Sequence, residues 1–135
     1  MNIRATSTFR AGDLSRLMAA IAPRVEAAVT NGANAVLEIS RQYCPVDTGE
    51  LVSSGGVEVE MKGLQIVGAV SYTSGHAAYV EMGTGRRGAE SGHGAPGITY
   101  NPNWPGMAGS PFLRPALDSG RPDILASFTD QGFNL

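Results

Sequence analysis

Cys44-Pro45-Val46-Asp47-Thr48-Gly49-Glu50-Leu51 divides the chain into a helical first third and a remainder of short, mixed segments. Pro45 has no backbone N–H and disfavours the helical conformation at Cys44, so a helix arriving here must end. Asp47 and Thr48 can hydrogen-bond their own backbone in a turn, and Gly49 can adopt the positive φ of a reversal. The octet therefore reads as a structural corner built by Pro45, Asp47, Thr48 and Gly49.

Asp47-Thr48-Gly49 also spells the active-site triplet of aspartic proteases. A dimeric enzyme of that kind would use Asp47 from two chains, with one proton shared between the carboxylates. Ile66-Val67-Gly68 would then serve as the apolar-apolar-Gly element downstream. That architecture is nearly all strand, whereas here a helical pattern runs straight into the triplet. The structural corner is the preferred reading, and the protease is its alternative.

Upstream, Asp13 is a plausible N-cap for a short helix to about Ala20. Pro23 then opens a long helix to Tyr43. Leu14, Met18, Ile21, Val25, Ala28, Gly32, Ala35 and Ile39 alternate by four and three, which makes one apolar stripe. Alanine and glycine thin the middle of this helix, so a sheet or another helix can approach closely. Residues 1–11 form a polar lead, read as an arm or an edge strand.

Downstream, Glu50–Ser54 reads as a short strand. Val57–Met61 and Leu64–Val70 read as a hairpin joined at Lys62-Gly63, and Ala78–Met82 as a further strand. The expected fold is α+β: a long N-terminal helix on an antiparallel sheet of three or four strands, a long Gly/Pro-rich loop and a short C-terminal helix. From Gly83 to Ser110 no periodicity is visible. This stretch holds eight of the 18 glycines and three of the 8 prolines, so it reads as an extended loop. Its Tyr100, Trp104 and Met107 gain little unless buried against something. Pro111–Asp118 restores a helical turn through Phe112, Leu113 and Leu117, and Ile124, Leu125 and Phe128 mark a second helical piece.

Length and composition narrow the function. A chain of 135 residues is one domain by size, here residues 1–135 with 83–110 as the extended loop. Net charge is −2, which excludes a dedicated basic nucleic-acid footprint. Charged residues make up 16% against about 25% in an average domain, a deficit that fits surface hidden in an assembly. All cationic side chains but Lys62 are arginine, which favours fixed, forked pairing. One cysteine permits no internal disulfide, and no run approaches the ~20 apolar residues of a membrane helix. A soluble protein made in a reducing cytosol, without a signal peptide, is the expectation.

Three further patterns fail on inspection. Gly83-Thr84-Gly85-Arg86-Arg87-Gly88 fits G-x-G-x-x-G, but Ala89–Gly97 is too rich in glycine and proline to supply the helix that holds a pyrophosphate. His76, His93 and Cys44 match no metal-ligand spacing. No nucleophile elbow accompanies either histidine. No catalytic residue, cofactor or metal is assigned.

One ordered set of segments remains: a helix ending in Cys-Pro-Val-Asp-Thr-Gly-Glu-Leu (44–51), a hairpin, Ala-Tyr-Val-Glu-Met-Gly-Thr-Gly (78–85), a variable loop, and Pro-Phe-Leu-Arg-Pro-Ala-Leu (111–117). Over roughly residues 14–118 this resembles the head–tail connector or tail-completion (neck) proteins of long-tailed double-stranded DNA bacteriophages, the group similar to the lambda minor tail protein Z. The resemblance implies a non-enzymatic α+β virion protein, made in the host cytoplasm. It would form a homo-oligomeric ring, a hexamer, between the head portal complex and the tail. Its partners would be neighbouring neck and tail-terminator or tail-tube proteins, with genomic DNA passing through unbound by sequence and no membrane involved. Subunit or ring contacts would come from Tyr79, Glu81, Arg86, Arg87, Tyr100, Trp104, Phe112 and Arg114. Val80 and Gly83 would help to hold the last strand, and Leu113 to dock the C-terminal helix. The long loop and Val52-Ser53-Ser54-Gly55-Gly56 depart from the usual pattern. A small adaptor that merely shares the corner is a third possibility, marked by a stable monomer.

Overall fold

A computed structural model describes residues 3, 5, 11–47 and 49–135. Most of the polar lead, and Thr48 of the corner, lie outside the described residues. The α+β architecture is as expected, but its elements differ in ways that have physical causes.

The N-terminal pattern forms one helix, α1 (Ala11–Tyr43), with Pro23 inside it, and not two helices with a break. Pro23 lies on the exposed side, where water can pair with the carbonyl that its missing N–H leaves free. The helix ends where Pro45 requires, its last turn closed by the Cys44 N–H on the Ser40 carbonyl at 2.9 Å.

After the corner comes a single helical turn, α2 (Glu50–Ser53), where a strand was expected. Gly49 enters it at φ +82°, and the N–H groups of Ser53 and Ser54 return to the Gly49 and Glu50 carbonyls. The Ser53 and Ser54 hydroxyls also bond carbonyls three residues back. Local bonding decides the form of a segment too short for periodicity.

Strands β1 (Gly55–Lys62) and β2 (Gln65–Tyr72) form the expected antiparallel hairpin. Lys62 pairs with Gln65, so the turn is Gly63-Leu64, one residue beyond the expected Lys62-Gly63, with Gly63 at φ +59°. Among the described residues the sheet stops at these two strands. The expected strand Ala78–Met82 is instead part of a helix, α3 (Ala77–Met82). Its entry is fixed by Ser74, whose carbonyl accepts the Ala77 N–H and whose hydroxyl oxygen accepts the His76 N–H. Five residues alternate too briefly for period to outweigh that nucleus.

The glycine-rich stretch is folded. A two-residue bridge joins β3 (Gly83–Thr84) to β4 (Met107–Ala108), with the helix α4 (Gly85–Glu90) between them in sequence. The C-terminal region is one 18-residue helix, α5 (Leu113–Asp130), longer than the short helix expected and continuous through Gly120 and Pro122. Packing on α1 overrides the low helix propensity of those two residues.

The α1–α5 contact is the most extensive in the molecule. The two helices meet at small residues: Gly32 lies under the backbone of Ile124, and Gly120 under the side chain of Val36. Among the described residues Ala28, Val36, Leu37, Cys44, Phe112 and Ala116 are the buried apolar ones. The hairpin packs on the neighbouring face of α1. It is tied there by the Ser40 and Tyr72 hydroxyls, 2.6 Å apart, and Tyr72 meets the Phe112 ring edge-on at 4.9 Å. At its far end α5 closes with the Gly132 and Phe133 N–H groups on the Thr129 and Phe128 carbonyls, a Schellman motif with Gly132 at φ +85°. Arg24 of α1 lies over the Phe133 ring and donates to the Gln131 carbonyl.

Candidate interaction surface

The two segments 78–85 and 111–117 meet directly. Glu81, carried on α3, directs its carboxylate at the start of α5. Its Oε2 accepts the Phe112 and Leu113 N–H groups at 2.8 and 2.9 Å, and its Oε1 accepts the Arg114 N–H at 3.1 Å. Arg114 Nε adds a bond at 3.2 Å. The carboxylate thus caps a helix 31 to 33 residues away, occupying orphan N–H groups and meeting the positive end of the dipole. Burial works to raise its pKa, and the four hydrogen bonds outweigh this, leaving it below the ordinary carboxylate value. Arg114 also donates to the His93 carbonyl, so the same clasp holds the loop.

The loop is knitted to this clasp. Ser110 N–H bonds the Val80 carbonyl at 2.7 Å, Gly109 N–H the Ser91 hydroxyl oxygen, and the Tyr100 hydroxyl the Met82 carbonyl at 2.9 Å. A Cβ at Gly83 would stand 2.5 Å from the Gly109 nitrogen, and one at Gly106 would overlap the Thr84 carbonyl. Here glycine permits backbone to lie on backbone, with φ +80° and +60° at the two positions.

This folding sorts the candidate residues into two groups. Glu81, Tyr100 and Phe112 face inward: Phe112 is 1% exposed, and Tyr100 is half-buried across Gly88 and Gly94. They build the scaffold. Tyr79 and Trp104 face outward, 55% and 54% exposed. They stand together between two clefts. One, of about 530 Å³, reaches the corner at Pro45, Asp47 and Gly49. The other, of about 430 Å³, runs to Ile98 and Tyr100. Corner, α3 and loop, far apart in sequence, thus share one surface. Met107 and Ile98 extend it and are also exposed. Met107 is one of the loop residues the sequence marks as needing a contact, whereas Ile98 carries no signal beyond an apolar residue in a polar loop.

Arg86 and Arg87 are exposed on α4, with Arg86 4.0 Å from Glu90. The helix α4 begins inside the hexad, at Gly85, and ends at Glu90, so most of Ala89–Gly97 is not helical, as expected. Its first free N–H groups are nevertheless taken, Arg86 on the Trp104 carbonyl and Arg87 on the Pro105 carbonyl, both at 2.9 Å. Two of the N–H groups on which a pyrophosphate would depend are therefore already occupied. Asp47 is exposed on the corner and His76 is exposed beside α3, whereas Cys44 is buried and its thiol pKa is pushed up by that burial. Among the described residues no three His, Cys, Asp or Glu side chains converge on a metal position, and no helix is long and apolar enough to cross a membrane.

No family model, curated protein or solved structure matches the chain.

Proposed function

We propose that the chain is a structural virion protein, a ring-forming head–tail connector (neck or tail-completion) subunit of a long-tailed bacteriophage. Its ring joins the head portal complex to the tail and lines part of the DNA conduit. The observation that carries this reading is the clasp between the two resemblance segments. Glu81 in Ala-Tyr-Val-Glu-Met-Gly and Phe112-Leu113-Arg114 in Pro-Phe-Leu-Arg-Pro are one structural unit, which gives their ordered recurrence a physical reason.

On this reading Tyr79 and Trp104 present the surface that meets the next ring or subunit, with Arg86 and Arg87 at its flank. Aromatic side chains with polar tips are favoured at such contacts. The net charge of −2 suits a conduit that lets DNA pass, because each phosphate contact would add affinity. Asp47, on an exposed corner after a helix, serves as a turn residue and not as half of a carboxylate pair.

The test is electron microscopy of lysate from a phage lacking this gene. Filled heads beside separate, complete tails are expected, with joining restored by the wild-type gene and not by one lacking residues 96–106. Normally joined particles would refute the proposal. Asp47→Asn separates the protease alternative: it leaves joining intact in a connector and abolishes an enzyme.

A further inference from the structure

Residues 74–110 leave the core and return to it at one neck. The chain exits after Tyr72, the last residue of β2, and re-enters at Phe112, and these two rings touch at 4.9 Å. Between those points α3, β3, α4 and β4 pack on one another. Among the described residues none of the four packs extensively on α1, the hairpin or α5. The segment closes on itself by hydrogen bonds between its two halves. Arg86 and Arg87 N–H groups bond the Trp104 and Pro105 carbonyls, Met107 N–H bonds the Thr84 hydroxyl oxygen, and Ser110 N–H bonds the Val80 carbonyl. Its buried positions among the described residues are glycines, Gly83, Gly85 and Gly88. The buried apolar side chains all lie on or beside α1 and α5.

Among the described residues the hydrogen bonds between this lobe and the core gather at two points. At one, the Ser74 hydroxyl reaches Glu50 at 3.4 Å in an exposed position, a weak tie. At the other, Glu81, 12% exposed, takes the Phe112, Leu113 and Arg114 N–H groups, and Arg114 reaches back to the His93 carbonyl. Between the two points lobe and corner face each other across the open cleft of about 530 Å³. A unit with one neck, no buried apolar side chain and one strong tie opens at a lower free energy than the whole molecule. We infer that residues 74–110 open as one cooperative unit latched by Glu81, while α1, the hairpin and the rest of α5 stay folded. The first turn of α5 is released with the lobe, because the same carboxylate holds both. The Tyr79–Trp104 surface exists only in the latched state, so a partner docking there stabilises the latch by mass action. This holds for any partner and does not depend on the connector reading.

The experiment is native-state hydrogen exchange in sub-denaturing urea on the full chain, on Glu81→Gln and on Leu37→Ala. Leu37 is buried on α1 against the hairpin at Gly55, away from the lobe. In the wild type the Arg86, Arg87 and Ser110 amides should share one opening free energy. Its urea slope should be smaller than that of the α1 amides from Val36 to Ser40, because less surface is exposed. Glu81→Gln should speed exchange of those lobe amides and of Phe112–Arg114 at least tenfold. Leu37→Ala should speed the α1 amides at least tenfold and leave the lobe unchanged, since the lobe opens while the core is still folded. A single slope for lobe and α1 amides overturns the inference, and so do unrelated slopes among the lobe amides. Leu37→Ala that speeds both sets equally also overturns it, because the chain would then open as one unit. Lobe exchange within threefold of wild type in Glu81→Gln removes Glu81 as the latch. If Leu37→Ala does not fold, the wild-type slopes decide alone.

Discussion

Arg114 holds Glu81 twice, through its backbone N–H at 3.1 Å and its guanidinium Nε at 3.2 Å, both on Oε1. The guanidinium is half exposed, so its ion pair alone contributes little. The weight lies in the three backbone N–H groups, which sit at the start of a helix and have no other acceptor in its first turn. Glu81→Gln removes the charge and leaves one carbonyl oxygen for several donors. The expected cost is about 2 kcal/mol, from charge-assisted bonds and a lost helix cap. Urea denaturation measures it, and a loss below about 0.5 kcal/mol would show that the clasp is incidental. Arg114→Ala, which keeps the backbone bonds, should cost about 1 kcal/mol or less.

The same carboxylate makes stability depend on pH in one direction. Its folded pKa lies below the unfolded value of about 4.3. The folded state therefore favours the ionised form, and this stabilisation is complete above the unfolded pKa. It is lost as pH falls through the folded pKa. The stability difference between wild type and Glu81→Gln should stay constant from pH 7 to about 5 and narrow below about 4. A difference that grows on acidification would contradict the assignment.

Cys44 offers a probe of the corner. It is buried at the end of α1, and its thiol pKa is raised by desolvation, so the folded protein holds less thiolate than the unfolded chain. Reaction with an aromatic disulfide reagent should be slow in the native state and speed up at least tenfold across the urea transition. Fast native labelling would mean that the corner opens locally, well below the global unfolding free energy.

These features were unequally visible in the chain itself. The end of α1 was legible because Pro45 imposes it whatever the context. The hairpin was legible because Val57–Met61 alternates over enough residues. Helix α3 was not, because its form depends on Ser74 bonding and on Glu81 reaching a partner 33 residues away. The stretch 83–110 reads as an extended loop because glycine lowers every local propensity. Its order comes from backbone packed on backbone at Gly83, Gly88, Gly106 and Gly109, a property of pairs of glycines that no window of sequence displays. Trp104 and Tyr100 look alike as aromatic residues in that loop. Only the fold separates them, Tyr100 inward on the Met82 carbonyl and Trp104 outward beside Tyr79.

The glycine packing makes a differential prediction. Gly97 and Gly106 both have positive φ, +84° and +60°, so alanine is strained at either by about 1–2 kcal/mol. At Gly97 an added Cβ meets nothing within 4 Å. At Gly106 it overlaps the Thr84 carbonyl and crowds the Gly85 Cα at 2.7 Å, both of them backbone, which cannot rotate away. Gly97→Ala should therefore cost only the conformational strain. Gly106→Ala should break the β3–β4 bridge and release the Arg86 and Arg87 N–H groups from the 104–105 carbonyls. Limited proteolysis then reads the difference: Gly106→Ala should be cut within residues 96–106 far faster than wild type, while α1 and α5 keep their helical circular dichroism. Equal cleavage of the two variants would show that the loop does not depend on this close approach.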